Sequence, residues 1–176
     1  MSLKIIHTAD WHLGQTFFGY DRDEEHEAFL SWLIDILTLR QTDVLLIAGD
    51  VFDVANPSAA AQRRFFRFLR EAHRRNPQLQ IVIIAGNHDS AARLEAPIPL
   101  LEELNTSIVG AVPRTDLCKI DFDSLLIPLY NKEGKREAIC LAVPYLRQGD
   151  YPASKEGKDT YAVSYTHLTL PTKLEV

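Results

Sequence analysis

The chain has 176 residues, 46% hydrophobic and 24% charged, with 8 Gly and 9 Pro. That length suits one domain, and the composition excludes collagen-like, low-complexity and disordered chains. The net charge of −5 means that any nucleic acid it handles must meet local basic groups, not a basic body. Cys118 and Cys140 are too few for a disulfide scaffold and lack metal-knuckle spacing; both are expected to be reduced and half-buried. No apolar run reaches the roughly 18 residues of a spanning helix, and the first residues lack a signal-peptide layout. The expectation is a soluble, cytoplasmic protein with no membrane partner.

Three apolar runs, at residues 3–6, 44–48 and 81–85, are rich in β-branched residues and nearly uninterrupted. Half-exposed strands alternate, so all three read as strands buried on both faces of a layered sheet. Between them lie two helical patterns. Over residues 23–40, Phe29, Leu33, Ile36 and Leu37 share a face. Over residues 58–76, Phe65, Leu69 and Ala72 do, with Ser58 as N-cap and Pro77 beyond the end. The order strand, helix, strand, helix, strand is that of parallel βαβ units, and the fold class is α/β. A shorter helix is expected around residues 100–104. Residues 107–112, 117–122, 125–129 and 138–143 read as shorter strands, with a hairpin turn at Asn131, Lys132, Glu133 and Gly134. Residues 147–158 read as a loop.

Each of the first three strands runs into chemically capable residues. The first ends in Asp10-Trp11-His12, the second in Gly49-Asp50-Val51-Phe52-Asp53, the third in Gly86-Asn87-His88-Asp89. Side chains from several loops converge at the carboxyl edge of a parallel sheet, so Asp10, His12, Asp50, Asn87 and His88 would share one rim. Imidazole nitrogen with carboxylate and amide oxygen suits Mn, Fe or Zn better than thiol-seeking metals. Gly49 and Gly86 allow the sharp turns and close approach that such a rim needs. Singly, each motif also reads as a cap or turn; the three together, each closing a buried strand, favour a metal site.

Asp-x-His, Gly-Asp-x-x-Asp and Gly-Asn-His-Asp together resemble the calcineurin-like metallophosphoesterases. The strings from His7 to Gly14, Arg22 to Leu30, Ala48 to Asp53 and Ala85 to Ser90 narrow the likeness to the SbcD components of bacterial SbcCD nucleases, and Pro144-Tyr145-Leu146-Arg147 extends it. The resemblance implies a layered metallophosphoesterase sandwich of βαβαβ units with mixed sheets. It implies a metal-dependent DNA exonuclease and endonuclease subunit, acting on double-strand ends and hairpins in repair and recombination and associated with the nucleoid. It further implies two divalent ions, Mn(II) by preference, an SbcC-type ATPase partner and a homodimer. By motif, Asp10 and His12 would hold the first ion, Asp50 would bridge, and Asn87 would hold the second. His88 would stabilise charge or protonate the leaving oxygen, and Asp53 and Asp89 would orient neighbours. The family has further metal-binding histidines in a Gly-His and a later Gly-His-x-His motif. This chain has one histidine after His88, His167. It lies in the segment of residues 164–172, which continues no earlier pattern and resembles a translated sequencing-adapter tail. The expectation is therefore that residues 1–163 are the amino-terminal part of a nuclease domain, truncated before its later strands, that residues 164–176 are non-native, and that the fragment itself is inactive.

Other features carry two readings. Arg63, Arg67, Arg70 and Arg74 form a stripe that is either a track for phosphates or a solvated helix face. Phe17, Phe18 and Tyr20 either stack on nucleic-acid ends or anchor a loop to the core. His26 is expected to be exposed, His7 packed in a strand and His73 on the surface. Alternatives to the nuclease are a small-molecule phosphodiesterase of the same superfamily and a non-catalytic metal-binding or interaction fragment.

Overall fold

The computed structural model describes residues 2–115, 120–147 and 150. In chain order the elements are β1 (Ile5–Thr8), β2 (Thr16–Phe17), β3 (Tyr20–Asp21), α1 (Asp23–Leu39), β4 (Val44–Ala48), α2 (Ala59–Arg75), β5 (Gln80–Ile84), α3 (Ala91–Glu95), α4 (Ile98–Leu101), β6 (Thr106–Val109), β7 (Leu126–Tyr130) and β8 (Arg136–Leu141). Cys118, His167, most of the loop expected over residues 147–158 and the whole of residues 164–176 lie outside the described residues.

β1, β4, β5 and β6 form one parallel sheet in that order. Side chains alternate across its two faces. Leu45, Ile47, Ile81 and Ile83 point to one side, where α1 and α2 cover them with Leu30, Leu33, Leu37, Phe65, Phe68 and Leu69. Val44, Val82 and Val109 point to the other, where the antiparallel β7–β8 pair and its flanks add Leu125, Leu129, Ala142 and Leu146. Each such side chain stabilises the fold by about 2 kcal/mol on full burial. The result is helices, sheet and hairpin in three layers, an α/β arrangement with a parallel sheet and separate antiparallel pairs.

The local causes are readable in the helices. Ser58 Oγ accepts the Ala61 N–H at 3.1 Å, capping α2, and His73, Arg74 and Arg75 occupy its last turn against the dipole. Asp23, Glu24 and Glu25 occupy the first turn of α1. The seam between the two helices is ionic at its rim: Arg64 reaches Asp23 at 2.8 Å and Glu27 at 3.0 Å, Arg75 reaches Asp35 at 2.7 Å, and Arg67 pairs with Glu27. Of the arginine stripe, Arg67 and Arg74 are thus engaged by Glu27 and Glu71, and all four members are exposed, which fits the solvated-face reading.

Several expectations need correction. Among the described residues β1 pairs with β4 alone, at the edge of the sheet, and Ile5 is 45% exposed and His7 faces solvent; an apolar run records strand character but not its place in the sheet. The short helix expected around residues 100–104 is the end of α4 running into a 3₁₀ turn, Glu102–Leu104, and α3 is a separate helix before it, set off where Pro97 and Pro99 interrupt the backbone donors. β6, expected among the later short strands, completes the parallel sheet. Of residues 117–122, those described form no strand: Ile120 makes a single bridge with Arg114, and Phe122 leads into the 3₁₀ turn Asp123–Leu125. The hairpin turn at residues 131–134 is present, with Asn131 Oδ1 accepting the N–H groups of Glu133 and Lys135. Cys140 is a half-buried free thiol whose pKa burial raises. Among the described residues, no helix is long and apolar enough to cross a membrane.

His26 is 6% exposed, because α1 turns it inward with Leu30, Leu33 and Leu37 at helical spacing. Its pKa is lowered, first by burial and then by the Arg22 and Arg64 guanidiniums, against the opposing charges of Asp23 and Glu25. The folded state therefore holds a neutral imidazole where the unfolded chain takes a proton near pH 6.5. Unfolded chains then bind more protons below that pH, so this contribution is intact above about 6.5 and is lost as pH falls. Urea unfolding at pH 7.5 and 5.5 should show a smaller loss of stability for His26→Gln than for the wild type. An equal loss would assign the acid sensitivity elsewhere.

Candidate metal centre

The loops after β1 and β4 continue the strand pairing beyond the strands. The Asp10 N–H donates to Gly49 C=O at 3.1 Å, His12 N–H to Asp50 C=O at 2.9 Å and Leu13 N–H to Val51 C=O at 3.0 Å. Trp11, 5% exposed, anchors the first loop: its ring sits edge-on to Phe29, Phe65 and Phe68, and its Nε1 donates to Thr8 Oγ1 at 3.0 Å. With Trp11 turned in, its neighbours Asp10 and His12 turn out. Asp10, His12 and Asp50 all have positive φ, at 55°, 46° and 47°. This left-handed region costs a non-glycine residue about 1–2 kcal/mol, and such strain persists only where the surroundings over-determine it.

The surroundings do so through Asp89. Its side chain is fully buried, and its carboxylate accepts the N–H groups of Val51 at 3.1 Å, Phe52 at 3.0 Å and Gly86 at 2.9 Å. The loops after β4 and β5 are thereby fixed to each other. They are so close that a Cβ on Gly86 would fall 2.1 Å from Asp50 Oδ1, so only glycine fits there. Asp50 is 8% exposed, and its Oδ1 accepts the His88 N–H at 2.9 Å.

Ligand atoms of Asp10, His12 and Asp50 lie within 4.8 Å of one another, and so do those of His12, Asp53 and His88. His12 belongs to both groups. Its Nε2 is 4.0 Å from Asp50 Oδ2, and its Nδ1 is 3.2 Å from Asp53 Oδ1. The Nδ1 atom is buried and makes no hydrogen bond despite this approach to Asp53. Asn87 lines an open recess of about 260 Å³ together with Asp10, Asp50 and Tyr145. The His88 ring stands edge-on to His12 with centroids 4.9 Å apart, and its Nδ1 lies 2.6 Å from Asp53 C=O. That bond is the largest cause of a raised His88 pKa, opposed by desolvation and helped by Asp50, Asp53 and Asp89. Carboxylate, imidazole and amide donors of this kind fit a divalent ion of the Mn, Fe or Zn type, and the paired charges of Asp10 and Asp50 are relieved by a cation.

Three further residues, Gln15, Arg22 and Arg147, support the rim; Arg22 and Arg147 stand in the strings that carry the family resemblance, and Gln15 stands in none. Gln15 Nε2 donates to Asp53 Oδ1 at 3.2 Å, and Arg22 Nη1 donates to Gln15 Oε1 at 2.7 Å, extending the network into the β2–β3 ribbon. On the other side, Arg147 Nη2 donates to Asp89 C=O at 2.5 Å and Tyr145 N–H to Ala85 C=O at 2.8 Å. Gln15 and Arg147 do not announce their partners, which lie 38 and 58 residues away in the chain.

Removing the Asp89 carboxylate leaves three backbone donors, two of them fully buried, without a partner. Each costs about 1–3 kcal/mol, so Asp89→Ala should destabilise the fold by roughly 3 kcal/mol or more. Urea denaturation reads this directly. A loss below about 1 kcal/mol would mean the two loops are held by other means.

Residues 3–167 match the model of the calcineurin-like phosphoesterase family. The SbcD component of the SbcCD nuclease of Rhodobacter capsulatus is 48% identical over 157 residues, covering 89% of this chain and 38% of that one. Its namesake in Escherichia coli K12 is 34% identical over 155 residues, 88% of this chain and 36% of that one. The Bacillus subtilis namesake is 40% identical over 122 residues, 69% of this chain and 31% of that one. This chain thus spans less than two fifths of the length of these relatives. The three strand-end motifs, gathered at one sheet edge and matched by the family model over nearly the whole chain, establish that it belongs to the calcineurin-like phosphoesterase family.

Proposed function

We propose that this chain is the amino-terminal part of a metal-dependent DNA nuclease subunit, a phosphodiester hydrolase acting at double-strand ends and hairpins in repair and recombination. The observation that carries the reading is the convergence of Asp10, His12 and Asp50 ligand atoms within 4.8 Å at the edge that also presents Asn87 and His88. The relatives named as components of SbcCD nucleases supply the reaction class. In the whole protein the partners would be duplex DNA, an SbcC-type ATPase subunit and a second copy of the same chain, working at the nucleoid in the cytoplasm.

In this reading Asp10 and His12 would hold one divalent ion, Asp50 would be shared and Asn87 would hold a second, with Mn(II) the preferred metal. When bound, the pair supplies positive charge at the attacking and leaving oxygens of an in-line phosphoryl displacement. Asp50 suits the shared role because Oδ1 is occupied by the His88 N–H while Oδ2 faces His12. Asp53 stands behind His12 and Asp89 fixes the loops, so both position and neither reacts. His88 has Nδ1 engaged by the Asp53 carbonyl, which leaves Nε2 to meet a phosphate oxygen or hand a proton to the leaving oxygen.

Asp50→Asn in a protein of full relative length should abolish Mn(II)-dependent cleavage of plasmid or hairpin DNA. The fold should survive, since Asn tolerates the left-handed conformation that Asp50 adopts; near-full activity would sink the shared-carboxylate role. The 176-residue chain itself should turn over far more slowly than such a protein, because His12 and His88 are the rim's imidazoles among the described residues. Comparable turnover would show that the first three motifs suffice.

For His88→Ala the expected loss of cleavage rate is on the order of 10²–10⁴-fold, the usual share of a general acid. Metal loading by calorimetry should be retained. Loss of metal binding would make His88 a ligand.

A further inference from the structure

The β2–β3 ribbon grows directly from the loop that carries His12. Its base is clamped: Gln15 N–H donates to His12 C=O at 3.0 Å, Arg22 N–H to Gln15 C=O at 3.3 Å, and the Gln15 side chain bridges Arg22 and Asp53. Its tip is not packed on the core. Phe17, Phe18 and Tyr20 are 63%, 87% and 78% exposed. That removes the alternative of loop anchors buried against the core.

Two further observations set the tip apart. Phe18 and Gly19 both have positive φ, 50° and 83°, a turn in which Asn-Gly is the favoured pair. A bulky aromatic in the left-handed region is an outlier, and here it gains no core contact. The rings of Phe17 and Phe18 also meet edge-on, with centroids 4.6 Å apart.

We propose that this ribbon is a stacking platform for an unpaired base at the end of a nucleic-acid substrate held at the adjacent rim; the proposal rests on the nuclease reading. The tip from Phe17 to Tyr20 carries no charge, so phosphate is not its ligand. Every nucleobase has a π face, and aromatic side chains receive bases without sequence preference. Proximity supports this occupant: counted along the chain, Phe18 lies within roughly 20 Å of His12. Area disfavours a protein occupant. Three aromatic side chains bury at most about 150–250 Å² each, short of the roughly 800 Å² per partner of a stable interface.

The test uses the 176-residue chain with Mn(II) and duplex oligonucleotides carrying 2-aminopurine, either in a terminal unpaired position or in a blunt end. The wild type should bind the unpaired end more tightly and quench its fluorescence. Phe18→Asn suits the turn and preserves the ribbon, and Phe17→Ser removes the neighbouring face. Each should weaken binding to the unpaired end by roughly tenfold and restore fluorescence, as loss of a stacked base would, with blunt-end binding little changed. Unchanged affinity and quenching in both variants would overturn the platform while leaving the nuclease reading intact. Absence of binding to any oligonucleotide by the wild type would overturn the platform, while the nuclease reading is decided separately by the Asp50→Asn cleavage assay. Should the variants instead lose association with an ATPase subunit, with oligonucleotide binding unaltered, the ribbon would be a protein contact and the platform would be wrong.

Discussion

A single buried carboxylate holds the candidate site in shape. Asp89 accepts three backbone N–H groups from two different loops, and a hydrogen bond to a charged acceptor stabilises by about 1.5–3 kcal/mol. Against this stand three left-handed residues, Asp10, His12 and Asp50, at about 1–2 kcal/mol each. The two sums are of the same size. The strained conformations therefore persist because the loop bearing Asp50 is fastened from behind, and the loop bearing Asp10 and His12 is zipped to it by backbone bonds. The same fastening draws Asp50 against Gly86, where any side chain would collide with it.

The layers explain why this edge can carry strain. The helix side of the sheet is a continuous apolar cluster reaching from Leu37 at one end to Trp11, Val51 and Phe52 directly beneath the rim. The residues between the rim's polar side chains are thus core residues, one or two locked inward within each pair. Trp11 separates Asp10 from His12; Val51 and Phe52 separate Asp50 from Asp53. Preorganisation of this sort keeps like charges close together and lowers the stability the fold could otherwise have had.

Much of this is legible in the chain, for physical reasons that also mark where legibility stops. The central strands β4 and β5 and the helices α1 and α2 follow from apolar periodicity and caps, which are local properties. The edge position of β1 does not, because burial belongs to neighbours and not to the run itself; the exposure of Ile5 and His7 departs from expectation for that reason. His26 departs because its acidic neighbours suggest a solvated turn, whereas its helical phase with Leu30 and Leu33 decides its direction. At the rim, the strand-end argument identifies residues that do gather at one edge. It does not distinguish the cluster of Asp10, His12 and Asp50 from that of His12, Asp53 and His88, since backbone conformation at 10, 12 and 50 sets which side chains meet.

Those two clusters give the rim an orientation. His12 sits between them, with Asp50 before one ring nitrogen and Asp53 before the other. On the Asp53 side the network runs through Gln15 and Arg22 into the exposed ribbon. On the Asp50 side it opens into the recess with Asn87 and Tyr145, whose backbone is pinned to Ala85 while Arg147 grips the carbonyl of Asp89. A polymer lying across such a rim meets different chemistry at its two ends: an uncharged aromatic tip on one, carboxylate and amide donors on the other. The site is therefore polar in the directional sense. Because Asp53 contacts His12, His88 and Gln15 at once, displacement of the ribbon would be felt at both imidazoles through one residue, which makes Asp53 the structural link between the ribbon and the rim.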